Sequence, residues 1–397
     1  MPLAEVLASM ETEGFLVDRN GIIEFSQMLD ERIEEKTKSI YEQAGVMFNL
    51  NSPKQLGEVL FEKMQLPAKK KTSRGYSTSA EVLEELAEAY PIVADILEYR
   101  TLAKLKSTYC DGLLKVIEDD GRIRSTLNQT ETRTGRISSA DPNLQNIPVR
   151  SELGSQMRKF FIAKDGCELL DADYSQIELR VLAHVADDKN MIDAFNSGTD
   201  IHTLTASQVF GLPINMVTPI LRSRAKAVNF GIVYGIGAFS LAKDIGVTRK
   251  EADAYIKGYL NKFSGVNSYM ESVSEKAKDD GFVSTVFSRR RYLPELASSN
   301  HAMRAFGERV ARNMPIQGTA ADIIKIAMVR VYDRLKNENM RSKLIMQVHD
   351  ELIVESPTDE IEKASKILGE EMENAYKMKV ALSADVHHGK TWYEAKG

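Results

Sequence analysis

Apolar positions along the chain follow two periods, one helical and one of strands. From residue 1 to about 120 the helical period dominates. The stretch EFSQMLDERIEEKTKSIYEQAG (24–45) sets apolar residues at helical spacing among strong helix formers, and Gly45 marks its end. NSPKQLGEVLFEKM (51–64) opens with a turn and a cap, then turns helical. LPAKKKTSRGYSTSAEVLEELAEAY (66–90) puts a polar, glycine-containing loop at 67–79 ahead of another helix, with Ser79 at its capped start. Between 120 and 200 the elements shorten. GRIRSTLNQ alternates like a strand, and TRTGRISSADPNLQNIPVR reads as an irregular segment punctuated by Gly and Pro. ELLDADYSQIELRVLAHVA begins as a strand and continues as a helix, with Ile177, Val181, Leu182 and Val185 on one face. Helices dominate again from 200 to 300. Beyond 300 the pattern predicts a long helix around 310–336, two apolar runs broken at 349–351, a helix over 359–378 and a closing strand near 380–386.

The break in the apolar runs is the most informative stretch. In LIMQV–HDE–LIVE, the centre of what reads as buried strand holds His349, Asp350 and Glu351. Two apolar runs flanking a short polar centre predict a β-hairpin whose turn presents His349 and Asp350. ELLDADYS makes a second such presentation, with Asp173 where a strand ends and a helix starts. Two carboxylates so distant in sequence meet only if their strands share a sheet. Phosphoryl transfer uses such a pair, because two Mg²⁺ ions about 3.5–4 Å apart need hard oxygen ligands. Read singly, Asp173 and Asp350 are more simply turn residues, common at strand ends, and Asp171, Glu178 and Glu351 compete for the metal role.

TPILRSRAKAVNFGIVYG (218–235) changes that balance. Arg222, Lys226, Phe230 and Tyr234 recur at every fourth position and form one slowly drifting stripe on a helix. Two cations followed by two rings match a nucleoside triphosphate, which is anionic at one end and carries a sugar and base at the other. Arg and Lys clamp phosphates, and aromatic rings lie against sugar and base. Ala225, Val228 and Ile232 form an apolar back face. The spacing alone also suits an amphipathic surface helix. Gly231 inside it suggests a bend or a close approach to the backbone.

Composition narrows the setting. At 397 residues, with 43% hydrophobic and 27% charged residues, the chain is long enough for two or three subdomains of ordinary folded character. No apolar stretch reaches membrane-spanning length, and MPLAEVLASMETEGF lacks the layout of a signal peptide. Cys110 and Cys167 form neither a disulfide framework nor a metal spacing, which points to a reducing, cytoplasmic setting. The net charge of −5 is not that of a basic nucleic-acid binder. Any such contact must come from local clusters: Lys69, Lys70 and Lys71 with Arg74, then Arg122, Arg124, Arg133 and Arg136, then Arg289, Arg290 and Arg291. Each cluster taken alone also reads as a solvated face.

With these pieces together, the chain resembles the polymerase domain of the bacterial DNA polymerase I family. DADYSQIELR, RSRAKAVNFGIVYG and QVHDELIVE resemble that family's motifs A, B and C, in that order. TGRISSADPNLQNIPVR and NMPIQGTAADIIKIAM resemble two further stretches. The resemblance implies an α+β, right-hand polymerase architecture: a helical thumb at 1–120, an antiparallel-sheet palm at 121–200 and 301–397, and helical fingers at 201–300. It implies a template-directed DNA polymerase adding dNTPs to a primer 3′-OH by two-metal-ion phosphoryl transfer, in DNA replication or repair. Asp173, Asp350 and the Tyr174 carbonyl would bind two Mg²⁺ ions, with Mn²⁺ able to substitute, and Glu351 would support them. Arg222, Lys226 and His202 would hold the triphosphate, and Lys226 would act in catalysis. Phe230 and Tyr234 would form the nucleotide pocket, and Glu178 would exclude a ribose 2′-OH. Arg136, Asn143, Gln145, Arg309, Asn313, Gln317 and His349 match positions contacting primer, template or the nascent pair. Lys70, Lys71 and Arg74 sit in a loop resembling the thumb tip that grips duplex DNA. A monomer without membrane attachment, proofreading or 5′ nuclease domain is expected. The rival readings are a single-subunit RNA polymerase, disfavoured by Glu178, a metal-dependent nuclease with no use for the 222–234 stripe, and a non-catalytic DNA-binding protein.

Overall fold

The computed structural model describes residues 2–68, 71–72 (backbone only), 75–148 and 151–397. They form two compact units, one of residues 1–14, 125–145 and 163–397, the other of residues 15–124 and 146–162.

The smaller unit is mainly helical. Its first long helix covers Arg19–Ala44, capped by Asp18, whose carboxylate accepts from the Gly21 amide at 2.9 Å. Gly45 closes it in the left-handed region at φ 62°, where glycine carries no Cβ clash. Ser52 caps the following helix, Pro53–Gly57, which runs into a wider π-helical turn over Glu58–Lys63. Ser79 stands at the cap of the helix Ala80–Ala87, as the pattern predicts, but its side chain makes no capping bond. Ile40, Leu56, Leu60, Leu83, Val93 and Ile96 are among the side chains that meet in this unit's own core. Within 67–79 a short antiparallel pair forms between Lys71–Thr72 and Gly75–Tyr76. Lys70 and Arg74 lie outside the described residues, and of Lys71 only the backbone is described.

The larger unit is built on one four-stranded antiparallel sheet. Its strands are β1 (Cys167–Tyr174), β2 (Lys343–Val348), β3 (Glu351–Pro357) and β4 (Ala384–Gly389), in spatial order β2-β3-β1-β4. The apolar runs of β2 and β3 are buried nearly throughout, because helices cover the sheet. Helix α1 (Ile177–Ala186) continues directly from β1. Helices α2 (Ile201–Phe210) and α3 (Pro219–Val233) follow, and α4 (His301–Asn337) runs through the core, with Met314, Ile316, Ile323, Ala327, Met328 and Val331 fully buried. Helix α5 (Ile361–Glu373) packs Ala364, Ile367, Leu368 and Met372 into the same core, and the short α6 (Trp392–Ala395) packs on β1 and β4.

Three sequence expectations shift. The helix expected over 359–378 stops at Glu373, and the closing strand runs over 384–389. GRIRSTLNQ is not one strand: Arg122–Ile123 pairs with Phe15–Leu16 in the smaller unit, while Thr126–Asn128 pairs with Ser138–Ala140 in the larger. Its alternation serves two sheets, a division no local period encodes. Residues 2–13, read with the thumb, pack in the larger unit, because Val6, Leu7 and Met10 belong to its core.

Leu352 is fully buried on β3. Leu352→Ala is expected to cost about 2–5 kcal/mol by opening a cavity under the sheet. Gly45→Ala, with nothing near the new Cβ, should cost only about 1–2 kcal/mol of backbone strain. Urea unfolding of the two variants checks both values, and equal losses would contradict this ranking.

Candidate active site

The two candidate carboxylates reach one place through strand register. On β3, Glu351 pairs with Asp173 of β1, and the chain reverses between β2 and β3 through His349 and Asp350. His349 adopts φ 52°, the left-handed conformation a two-residue hairpin turn requires. Gln347 Nε2 donates to the His349 carbonyl at 2.7 Å and holds the turn. At the end of β1 the Tyr174 amide donates to the Asp350 carbonyl at 3.1 Å, so the turn and the strand end are tied by backbone. Gln176, also left-handed at φ 56°, turns the chain into α1. These bonds answer why a histidine and two carboxylates interrupt apolar runs: His349 and Asp350 are the turn at the mouth of the sheet, and Glu351 opens β3 beside it.

Electrostatically the pair is unsettled. Burial, and then the charge of Asp173, push the Asp350 carboxyl up to about 7. Asp173 Oδ1 is buried with no hydrogen-bond partner among the described residues, while Oδ2 accepts from Lys396 Nζ at 2.9 Å. Glu351, buried, also accepts from Lys396.

Helix α3 forms the facing wall. Thr218 caps it by accepting from the Leu221 amide, and Pro219 occupies its first turn. Ala225, Val228 and Ile232 are buried as its back face. Arg222 and Lys226 are exposed along the front, and Phe230 is half-buried. The helix ends at Val233, so Tyr234 sits at the cap position beyond the last turn. Gly231 is needed because a Cβ there would meet Ile236 Cγ2 at 2.4 Å, so the close approach comes from the chain's own return. Arg222 Nε donates to Asp200 Oδ2 at 2.5 Å. Burial raises the Asp200 carboxyl, but bonds from Arg222, Thr203 and the His202 amide outweigh it and hold the group at about 2. His202 is buried, its Nδ1 2.9 Å from Asn229 Nδ2 and its ring 5.9 Å from Phe230. Burial pushes its imidazole down to about 4, and Arg222 and Lys226 act in the same direction. His202 is therefore neutral near pH 7.

Glu178 bridges the two walls. It is 7% exposed; one oxygen accepts from Arg136 at 2.8 Å and the other from the Tyr234 hydroxyl at 3.0 Å. Burial, then the Glu178 charge, push the Tyr234 hydroxyl up to about 12. Asp173, Tyr174, Glu178, His202, Arg222, Lys226, Phe230, Tyr234, His349, Asp350 and Arg136 all line a single cleft of about 500 Å³.

The remaining candidates fall beside it. Gln145 Nε2 donates to Gln347 at 3.2 Å, and both line a small groove with Arg136 and His349. The Asn143 carbonyl oxygen of the side chain accepts from the Gln145 amide. Arg309, Asn313 and Gln317 sit four residues apart on α4, on one face. Asn313 Nδ2 donates to the Val233 carbonyl at the end of α3, and Arg309 is exposed near Tyr234 and Phe230. Single members of two basic clusters are engaged elsewhere: Arg124 pairs with Glu118 and Asp120, and Arg289 with Asp322. The sequence reading missed Asp200, Asn229 and Lys396. Only Asp200 carried a signal, as a helix cap beside His202.

A sheet mouth with paired carboxylates facing a helix of cations and rings is the layout of a polymerase domain. The structure superposes on the POL domain of Pol1 from M. smegmatis, solved in complex with DNA primer-template and dNTP, with a TM-score of 0.95 and 43% identity over 100% of this chain and 70% of that one. Residues 19–394 match the family model for DNA polymerase family A, and the chain belongs to that family. It is 50% identical over 396 residues to DNA polymerase I of Caldicellulosiruptor bescii and 51% identical over 397 residues to that of Geobacillus stearothermophilus. It covers 100% of its own length in both but only 47% and 45% of theirs. No helix among the described residues is long and apolar enough to cross a membrane.

The buried His202 gives a pH prediction. Its folded pKa lies below the ordinary histidine value near 6.5, so the unfolded chain takes the proton first. Its contribution to stability is full above that value and is lost as pH falls toward 4. His202→Gln should therefore flatten the stability loss between about pH 6.5 and 4 by roughly 2 kcal/mol. Urea midpoints measured across that range check it; parallel curves for the two proteins would contradict it.

Proposed function

We propose that the chain catalyses template-directed addition of dNTPs to a primer 3′-OH with release of pyrophosphate. The observation that carries this reading is the one cleft in which Asp173 and Asp350 face Arg222, Lys226, Phe230 and Tyr234. The M. smegmatis neighbour, bound to primer-template DNA and dNTP, supports the same occupants here.

The carboxylates suit magnesium. The donors are all oxygens, Asp173 Oδ1 is buried with no hydrogen-bond partner among the described residues, and burial beside the Asp173 charge disfavours the ionised Asp350 carboxyl, which a cation would relieve. No group of three or more His, Cys, Asp or Glu side chains is arranged for a metal among the described residues. Two carboxylates are enough for Mg²⁺, which takes one or two and completes its shell with phosphate oxygens and water. Asp173, Asp350 and the Tyr174 carbonyl would hold two ions, with Glu351 behind them, and Mn²⁺ can take the same ligands. Ions held there would make the 3′-hydroxyl more acidic and offset charge on the leaving group.

The chain's own groups do the rest. Arg222 and Lys226 take the triphosphate, Arg222 exchanging its bond to Asp200 for phosphate oxygens. Lys226 gives a proton to the departing pyrophosphate. His202, neutral and wedged against Asn229, supports the phosphate side as a hydrogen-bonding group without adding charge. Phe230 and Tyr234 lie against sugar and base. Glu178, held on both oxygens by Arg136 and Tyr234, keeps its carboxylate where a 2′-hydroxyl would stand. Arg136, Asn143, Gln145, Arg309, Asn313, Gln317 and His349 meet the duplex, with Lys70, Lys71 and Arg74 on its phosphates. Groove-edge acceptors change little between base pairs, so such contacts check shape without reading sequence. The chain works as a monomer, away from membranes. With a net charge of −5, the cleft cations carry the DNA affinity, which falls steeply with salt.

Primer extension with dNTPs or rNTPs supplied separately tests the reading. Asp350→Asn should lower single-turnover extension by at least about a thousandfold, several kcal/mol of transition-state stabilisation. Primer-template affinity should stay near wild type in a gel shift. Equal losses of binding and activity would refute the metal role. Glu178→Ala should improve rNTP use relative to dNTP by roughly tenfold or more. Unchanged discrimination in single-turnover kinetics would remove Glu178 from the sugar gate.

A further inference from the structure

The carboxylate centre already holds a cation of its own. Lys396 Nζ lies 2.9 Å from Asp173 Oδ2 and bonds Glu351 Oε2 as well. Its position is built rather than incidental. Helix α6, just before it, is fixed by a capping box in which Thr391 and Glu394 satisfy each other's backbone amides. Trp392, one turn earlier on the same side, is fully buried, and its Nε1 donates to Asp171 Oδ2 at 3.2 Å. The strand register shows what the ammonium faces. Glu351, Asp173 and Asp385 are direct partners across β3, β1 and β4, so their side chains share one face of the sheet. Like charges so placed repel, and Asp350 adds another at the adjoining turn.

We propose that Lys396 is a positioning residue for the metal site: its ammonium serves as an internal counter-cation that steadies Asp173 and Glu351, and it yields Asp173 Oδ2 to an incoming divalent ion. This rests on the reading of Asp173 and Asp350 as metal carboxylates. The two contacts have different parts. The bond to Glu351, which is 6% exposed at its side chain, keeps the lysine docked. The bond to Asp173, whose side chain is 41% exposed, is the one that opens. Glu351 thus supports the site by holding the cation that gives way. Metal entry becomes a displacement, and the centre loads weakly until substrate phosphates add their own oxygens.

The test is titration of the whole chain with Mn²⁺, without nucleotide or DNA, following free Mn²⁺ by electron paramagnetic resonance. Wild type, Lys396→Met, Lys396→Arg and Asp350→Asn are compared. Fluorescence of Trp392, the single tryptophan of the chain, confirms that α6 stays docked in each. Lys396→Met should bind Mn²⁺ about three- to fivefold more tightly, the worth of one partly exposed ion pair. Lys396→Arg, which keeps the charge, should stay within about twofold of wild type. The Mg²⁺ concentration for half-maximal extension should fall for Lys396→Met alone. Unchanged or weaker Mn²⁺ binding by Lys396→Met, with Asp350→Asn weakened, overturns the role of Lys396 and leaves the metal carboxylates standing. An arginine variant that behaves like the methionine variant also overturns it, since charge would not be the agent. Asp350→Asn binding as tightly as wild type overturns both readings together.

Discussion

The register between β1 and β3 is the constraint on which the site depends. Glu351 opposite Asp173 fixes where the β2–β3 turn falls and therefore where Asp350 stands. A slip of one residue would turn Asp173 to the other face of the sheet and separate the pair. The register is enforced from both faces: Leu170, Ala172, Leu352 and Val354 are buried in the core, while Asp171 is held by the Trp392 indole. Helix α1 inherits its position from the same strand, because only Ser175 and Gln176 separate it from β1. Glu178 is thus as much a product of the register as the carboxylates are.

Charge in the cleft is organised in pairs. Arg222 is held by Asp200, Arg136 by Glu178, and Lys396 by Asp173 and Glu351. Arg222–Asp200 and Lys396–Asp173, both close to solvent, are individually weak and exchangeable, whereas the buried carboxylates Glu178 and Glu351 hold Arg136 and Lys396 in place. In the proposed reading, a negative overall balance is compatible with an anionic substrate for this reason. Arg136, Arg222 and Lys226 are gathered in one cleft, and others, such as Arg124 and Arg334, are satisfied by carboxylates on the surface.

The sequence made some of this legible because certain features are local. The hairpin turn at His349–Asp350, the strand-to-helix switch after Asp173 and the stripe on α3 follow from short periodicities, and each is where the pattern puts it. Tyr234 shows the limit of such reading: spacing places it on the helix, but Gly231 and the return of Ile236 end the helix one residue earlier. Asn229 was hidden because it occupies a buried helix position where an apolar residue would fit the same period; only the His202 and Thr205 bonds explain it. Lys396 was invisible because its partners are 223 and 45 positions away. GRIRSTLNQ failed for a related reason, since one alternating run feeds sheets of two different units.

The order of strands in the sheet has a consequence for how the protein comes into being. Both segments of the smaller unit, 15–124 and 146–162, precede β1, so its core can close from chain already synthesised. The central strand β1 instead waits for β3 and β4, and closing such long loops carries an entropic cost that only late contacts repay. Until Gly389 and Trp392 have left the ribosome, Asp173 has neither its strand partner on β4 nor the indole beside Asp171. The acidic centre is therefore assembled last, and a nascent chain carries an ordered helical unit before it has any means of chemistry.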